Sequence, residues 1–518
     1  MPFDFGKMNE TPLKPAQNPT MDHAPPYQPM LKESIDRFLA EYSNGVTDFS
    51  DFSSIFSRLL QNVPDPSLQF VWFYAALEFH MNKLAVQREP LTRASTAKDL
   101  FQLLVSCSDY CGSLKRIGIL APVVYELYHL ALQEKHLKSE VQSLLEGLIS
   151  YCSIFCGKEL RGENNGPTSL DPSFLDVIPV WMVDLSGAGD YLKGFFPIVS
   201  DQFRKGIEVR CEIGFLAGIV MCEALLLKLC LDFEPGIVKA EQKKKLCDSA
   251  IQIITGFRNS YFLDTLFRTM LEPVLPVIPL LGSENEVLLK EVLYTAVMTV
   301  EYSSFIIPQT GITLYANTLK DLSVTWLFVA DLAIQSAREQ GDWEKAISYL
   351  NAFSRSCMPL QLINWVAGQS EMGRKISKPN VPTPIALIKW LLAVEDQGLA
   401  VFDGDTAKLR AKAKFWTSRT EHVLPEIRQS DNNLDSDLLA DSIYGGTNED
   451  KVDGDIEMVD STDTMFLAAE NRRSTGSTDG TRKRKEGIED ETKTRVKFMR
   501  CQFHGNSMRE NSVVFGQQ

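Results

Sequence analysis

The sequence predicts an all-α fold, and three observations carry that prediction. Leu, Ala, Glu, Lys and Gln, all good helix formers, dominate roughly the first 430 of 518 positions. Apolar residues recur there at steps of three and four, which places them on one helical face. Runs alternating between polar and apolar residues, the mark of half-buried strands, are few.

Taken in order, residues 1–29 carry Pro12, Pro15, Pro19, Pro25, Pro26 and Pro29 and read as a disordered lead-in. Helical spacing starts with Leu31, Ile35, Phe38 and Leu39 and returns at Ile55, Leu59 and Leu60. Leu68 to Leu84 is apolar around most of its circumference, as expected of a helix covered on several sides. Thr96 and Asp99 offer a helix start before Phe101, Leu104 and Val105. Ala121 to Leu132 and Val141 to Phe155 follow, and Gly162 to Pro172 reads as a loop.

Helical patterns then cover 209–231, 241–258 and 260–271. Ser283 and Glu286 have capping-box spacing ahead of Val287, Leu288, Val292 and Leu293. Further helices fit 313–339, 343–355, 359–369, 383–395 and 405–418, about seventeen in all. The apolar run Ile213 to Leu231 is interrupted by Glu223 and Lys228, and Leu271 to Leu281 is short and proline-rich. Both read as buried core, with no membrane association expected.

A body of residues 30–428 exceeds the ~250–300 residues at which single cores stop growing, yet no linker divides it. The expectation is an α-solenoid of degenerate helix pairs, each burying its face against its neighbours. One stretch carries a resemblance. Gln340-Gly341-Asp342-Trp343-Glu344-Lys345-Ala346-Ile347-Ser348-Tyr349-Leu350 resembles the turn and second helix of a tetratricopeptide hairpin. Ala330, Ala333 and Ala337 supply small residues on the helix before it, whose usual Trp, Gly and Tyr positions are not filled. The resemblance to helical-repeat (tetratricopeptide or armadillo-like) proteins covers about one repeat. It implies helical hairpins and brings no activity with it.

Residues 429–518 are different material, rich in Asp, Ser, Thr, Gly and Asn, and are expected to be disordered. The charge pattern there is acidic, then basic. Asp431 to Asp463 holds eleven acids against one lysine, a net of −10; Asn471 to Arg500 holds ten Lys or Arg against five acids, a net of +5. With −14 in total, −9 remains for the rest, so the body offers no broad positive field and direct nucleic-acid binding is disfavoured.

Arg482-Lys483-Arg484-Lys485, with Arg472 and Arg473 upstream, is a candidate nuclear-import motif, since import receptors take extended basic peptides. Leu434, Leu438, Leu439, Ile443 and Tyr444 sit within the acidic stretch and form a candidate docking segment.

The ten cysteines and the polar, proline-rich start suggest reduced thiols and an intracellular protein. Cys107 with Cys111, and Cys152 with Cys156, have helical i,i+4 spacing, and their apolar neighbours favour core thiols over a zinc site. Cys501 and His504 form half a metal motif, and no cofactor is expected. Gly187-Ala188-Gly189 lacks the following Lys-Ser/Thr of a phosphate loop, and no catalytic signature occurs.

The expected function is a non-catalytic scaffold or adaptor subunit of a nuclear multiprotein assembly acting in transcription, RNA processing or genome maintenance. Its partners would be proteins, an import receptor among them. The alternatives are a cytosolic helical adaptor with a solubilising tail, or an all-α enzyme without a recognisable motif.

Overall fold

In a computed structural model, residues 27–422 are described apart from 45–55, 59, 61–62, 64, 87–89, 110, 134, 160–168, 183–190, 235–236, 304–312 and 371–382. All belong to the unit Met1–Gln429; the second unit, Ser430–Gln518, lies outside the described residues. Among the described residues the regular structure is helical, with one isolated bridge, Ser169 to Glu212, and no named strand.

Nineteen α-helices occur among them. In chain order they are α1 Tyr27–Ser43, α2 Leu68–Val86, α3 Pro90–Cys107, α4 Ser113–Gly118, α5 Ala121–Gln133 and α6 Lys138–Glu159. Next come α7 Phe174–Trp181, α8 Tyr191–Phe195, α9 Asp201–Arg210, α10 Ile213–Leu231, α11 Lys239–Phe257, α12 Ser260–Met270 and α13 Ile278–Leu281. The last six are α14 Ser283–Thr299, α15 Thr313–Glu339, α16 Trp343–Arg355, α17 Cys357–Ser370, α18 Pro384–Asp396 and α19 Ala407–His422.

Several boundaries differ from the sequence expectation, each for a local reason. Helix α1 opens at Tyr27, so the expected lead-in boundary at 29 falls inside it. Pro29 lies in the first turn, where no backbone N–H is needed. Helix α3 opens at Pro90 rather than at Thr96, because a proline pre-sets the first helical φ. The expected helix 209–231 is two helices. Cys211 takes a left-handed conformation (φ 45°) between α9 and α10, and its carbonyl accepts the Leu170 N–H at 2.6 Å. The capping box at Ser283 does not form: Gly282 (φ 75°) precedes the helix without a side-chain cap. Glu286 instead accepts the N–H of Leu275 at 2.9 Å. Of the run Leu271 to Leu281, Leu275 and Val277 are buried while Val274 and Ile278 are exposed, so it is core only in part.

Helix α10 is the centre of the packing: every residue but Lys228 is buried. It alone among the described helices is long and apolar enough to cross a bilayer, and protein surrounds it instead. It touches α4, α5, α6, α11 and α12. The crossing with α12 is close because Gly214 and Gly218 face Tyr261; a Cβ on Gly218 would come within 2.6 Å of the Tyr261 carbonyl oxygen. Helix α2 is buried on several sides, as its composition predicts. Trp72 donates to the Ile119 carbonyl at 2.9 Å and lies edge-on to Phe174 and Phe195.

The longer helices meet in two successions. Helices α3, α6, α11, α14 and α16 each touch the next. So do α10, α12, α15 and α17. Cross-contacts join the two series, α6 to α10, α10 to α11 and α15 to α16.

Near the end of the body, lysines hold chain segments together. Lys290 donates to the carbonyls of Glu272 (2.8 Å) and Pro273 (2.9 Å), and Lys412 of α19 reaches the Leu271 carbonyl (3.3 Å). These carbonyls follow directly on the C-terminal end of α12, where cations are favoured. Lys320, 2% exposed, meets Asp321 at 2.9 Å, Asp403, the Val401 carbonyl at 3.2 Å and the Trp365 ring at 5.2 Å. It fixes the segment before α19 onto α15.

Candidate functional site: the outer face of helix α16

The turn before α16 follows from its sequence. Gly341 takes φ 75°, and the Asp342 N–H returns to the Ala337 carbonyl at 2.9 Å, closing α15. The Asp342 carboxylate accepts the Lys345 N–H at 3.0 Å and caps α16. Ala330, Ala333 and Ala337 of α15 are all buried, and α15 and α16 pack against each other.

The inner face of α16 is fixed firmly. Ala346, Tyr349 and Phe353 are buried; Phe353 stacks on Trp326 with centroids 5.9 Å apart, and the Tyr349 hydroxyl is 2.8 Å from that of Thr295. Glu291 of α14 receives Lys243 of α11 at 2.7 Å and Lys345 of α16 at 3.5 Å. Burial alone would raise the Glu291 carboxyl, but the two ammonium groups hold it below its ordinary value. Burial and the adjacent Lys243 push Lys345 down.

The outer face is apolar where solvent meets it. Trp343 is 62% exposed and Ile347, one turn on, 58%. Ile347 lines a groove of about 590 Å³ between α16 and the end of α14, together with Glu301, Glu344, Asn351 and Arg355 among others. Trp343 and Ile347 thus expose two large apolar side chains one turn apart on a helix anchored from behind. The i,i+4 spacing puts Trp343 and Ile347 out of phase with Ala346, Tyr349 and Phe353, but the sequence alone does not say which of the two sets faces the core.

Two further grooves exist. One, of about 480 Å³, holds the Lys115–Asp65 pair (2.7 Å) and Asp171, whose carboxylate accepts the Ser173 N–H at 3.0 Å. That bond keeps Asp171 below the ordinary carboxylate value. The other, of about 610 Å³, has a mixed lining in which Leu231, Phe233, Leu280, Leu281 and Leu288 alternate with polar residues such as Lys138, Glu234 and Gln242. Burial raises the carboxyl of Asp321 and pushes two others further toward neutrality, Glu223 to about 8 and Asp331 to about 6. None of these carboxyls lines any of the three grooves. General acid–base chemistry needs such groups facing a cleft.

The sequence candidates fall as follows. Arg472, Arg473, Arg482, Lys483, Arg484 and Lys485 lie outside the described residues, as do Leu434, Leu438, Leu439, Ile443, Tyr444, Cys501, His504 and Gly187 to Gly189. Cys107 and Cys111 do not share a helix: α3 ends at Cys107, and Cys111 sits in the turn before α4. Cys152 and Cys156 do share α6, both buried, with the Cys156 sulfur 3.3 Å from that of Met221. Burial pushes the thiols of Cys111 and Cys152 up to about 12 and that of Cys107 to about 11, away from thiolate chemistry. Among the described residues no cluster of three or more His, Cys, Asp or Glu is placed to hold a metal.

Comparison with protein-family models, with curated proteins and with solved structures finds no match.

Proposed function

We propose that the chain is a non-catalytic scaffold subunit of a nuclear multiprotein assembly, whose helical body binds a protein partner across the outer face of α16. The carrying observation is the exposed Trp343–Ile347 pair, with Ile347 lining the groove, on a helix whose inner face is fixed by Phe353, Tyr349 and the Lys243–Glu291–Lys345 cluster. A rigid aromatic anchor costs little entropy when a partner covers it. The placement of Glu223 and Asp331 away from the grooves favours binding over catalysis.

The body in this reading is a solenoid of degenerate helix pairs. The successive contacts of α3, α6, α11, α14 and α16 support it, because stacking of each repeat on the next produces such a series. The motif Arg482 to Lys485, with Arg472 and Arg473, directs the chain to the nucleus.

Affinity purification at native expression levels, with quantitative mass spectrometry, tests the binding reading. A stoichiometric set of nuclear proteins is expected with the wild type. The double variant Trp343→Ala/Ile347→Asp should lose at least one of them while melting as the wild type does, since both side chains are exposed. Recovery of the wild type as a partner-free monomer, or an unchanged set with the variant, overturns it. For targeting, a fluorescent fusion with residues 482–485 changed to Ala should leave the nucleus; continued nuclear accumulation removes that part.

A further inference from the structure

We infer that the outer face of α19 is a second docking surface, and that its partner is an acidic amphipathic helical segment of another protein. The inference rests on reading the chain as a binding protein, and is independent of the α16 groove.

Helix α19 is a charge outlier. It carries five Lys or Arg against one Glu in a chain whose net charge is −14. Two of its cations are used within the body. Lys412 turns inward to the Leu271 carbonyl and lies 4.9 Å from the Trp416 ring centroid, and Arg410 pairs with Glu395. Ala413 is fully buried, and Trp416 packs on Phe328 with centroids 5.2 Å apart. This inner face fixes how the helix is rotated.

The opposite face carries Lys408, Ala411, Lys414, Phe415 and Ser418, all exposed and spaced by three or four residues, so they form one stripe. Phe415 is 63% exposed. Ala411 and Ser418 are small, which lets a second helix approach on either side of the Phe415 ring. Lys408 and Lys414 stand beside that apolar line. A helix with an apolar stripe and flanking carboxylates satisfies both features: its apolar side chains cover Phe415 and Ala411, and its carboxylates meet the two ammonium groups. Nucleic acid fits less well. Lys412 is committed inward and Arg410 to Glu395, so the stripe itself carries the two cations Lys408 and Lys414, about two phosphate contacts, which gives weak binding with a shallow salt dependence. The stripe of small residues also provides no parallel stacking platform.

The test uses the full-length protein and a fluorescein-labelled helical peptide with Leu on one face and Glu on its flanks, read by fluorescence anisotropy. Wild-type binding should weaken about tenfold with Phe415→Ala. It should weaken at least as much with Lys408→Glu/Lys414→Glu, and with a peptide whose Glu are replaced by Gln. Circular dichroism melting of both variants should match the wild type, because the changed side chains are exposed. No binding by the wild type overturns the inference, as does equal binding by wild type and variants. Tighter binding of a single-stranded oligonucleotide through the same residues overturns it in favour of nucleic acid. The Trp343→Ala/Ile347→Asp variant should bind the peptide normally, so failure here and failure at the α16 groove are told apart.

Discussion

Replacing Glu223 by Gln should stabilise the protein at neutral pH and leave it nearly unchanged in acid. Glu223 lies in the middle of α10, 1% exposed, and its carboxylate oxygen accepts the Ile198 N–H at 3.1 Å. Burial raises its carboxyl from the ordinary 4.5 to about 8, against the opposing pull of that hydrogen bond and of Arg204. A raised acid binds its proton in the folded state while the unfolded chain has already released it. Stability at this position therefore falls as pH rises from 4.5 to about 8, and is flat outside that window. Each pH unit inside the window costs about 1.4 kcal/mol. By pH 7 the loss is about 3 kcal/mol, as an order of magnitude. Gln keeps an oxygen for Ile198 and has no proton to lose. The difference between variant and wild type should thus be near zero at about pH 4.5 and grow to about 3 kcal/mol at pH 7. Thermal melting of both proteins across a pH series measures it, with the midpoint gap widening with pH. A gap that stays flat, or a variant less stable at every pH, would refute the reasoning. It would mean that attraction to Arg204 outweighs burial and that Glu223 is ionised in the folded core.

Two other substitutions probe the packing. Gly218→Ala should destabilise by about 1 to 3 kcal/mol, because its Cβ meets the Tyr261 backbone. Gly147→Ala in α6, where nothing lies within 4 Å, should stabilise by about 0.5 to 1 kcal/mol, and equal effects in denaturant unfolding would contradict the close crossing. Lys320→Met should cost about 2 to 3 kcal/mol, less than a fully buried pair would lose since Asp403 is 56% exposed on its side chain. Faster amide exchange across residues 401–416 is the expected signature, and unchanged exchange there would show that Lys320 does not hold that segment.

The sequence made the helices legible where one physical cue decided them. Helix α10 was readable because nothing but an interior tolerates so apolar a surface, and α15 was predicted with its observed bounds, Thr313–Glu339. Short helices were not readable. Pro179 inside α7 hid a short helix whose other residues, Asp176 aside, are strongly apolar. The break at Cys211 carries no Gly or Pro, so periodicity ran straight through it. At Ser283 the local capping pattern was outcompeted by tertiary structure: Glu286 serves the Leu275 N–H across a loop, a partner that spacing alone does not reveal. The α16 turn was legible from Gly341 and Asp342. Which way Trp343 points was not, because an aromatic after such a turn serves a core or a surface equally well. The basic motif and acidic segment of the tail are sequence features whose proposed targets lie in other molecules.

The reach of Lys412 to Leu271 spans 141 residues of chain. A ribosome adding ~5 to 20 residues per second needs roughly 7 to 28 s to cover that interval. For that time the end of α12 has been made and its last carbonyl still lacks this ammonium group. The bond belongs to the late stage of biosynthesis, after α10 and α12 have had time to pack, and it closes the fold behind them. Premature termination between Leu271 and Lys412 would release a chain in which α10 and α12 are complete and this final fastening is missing.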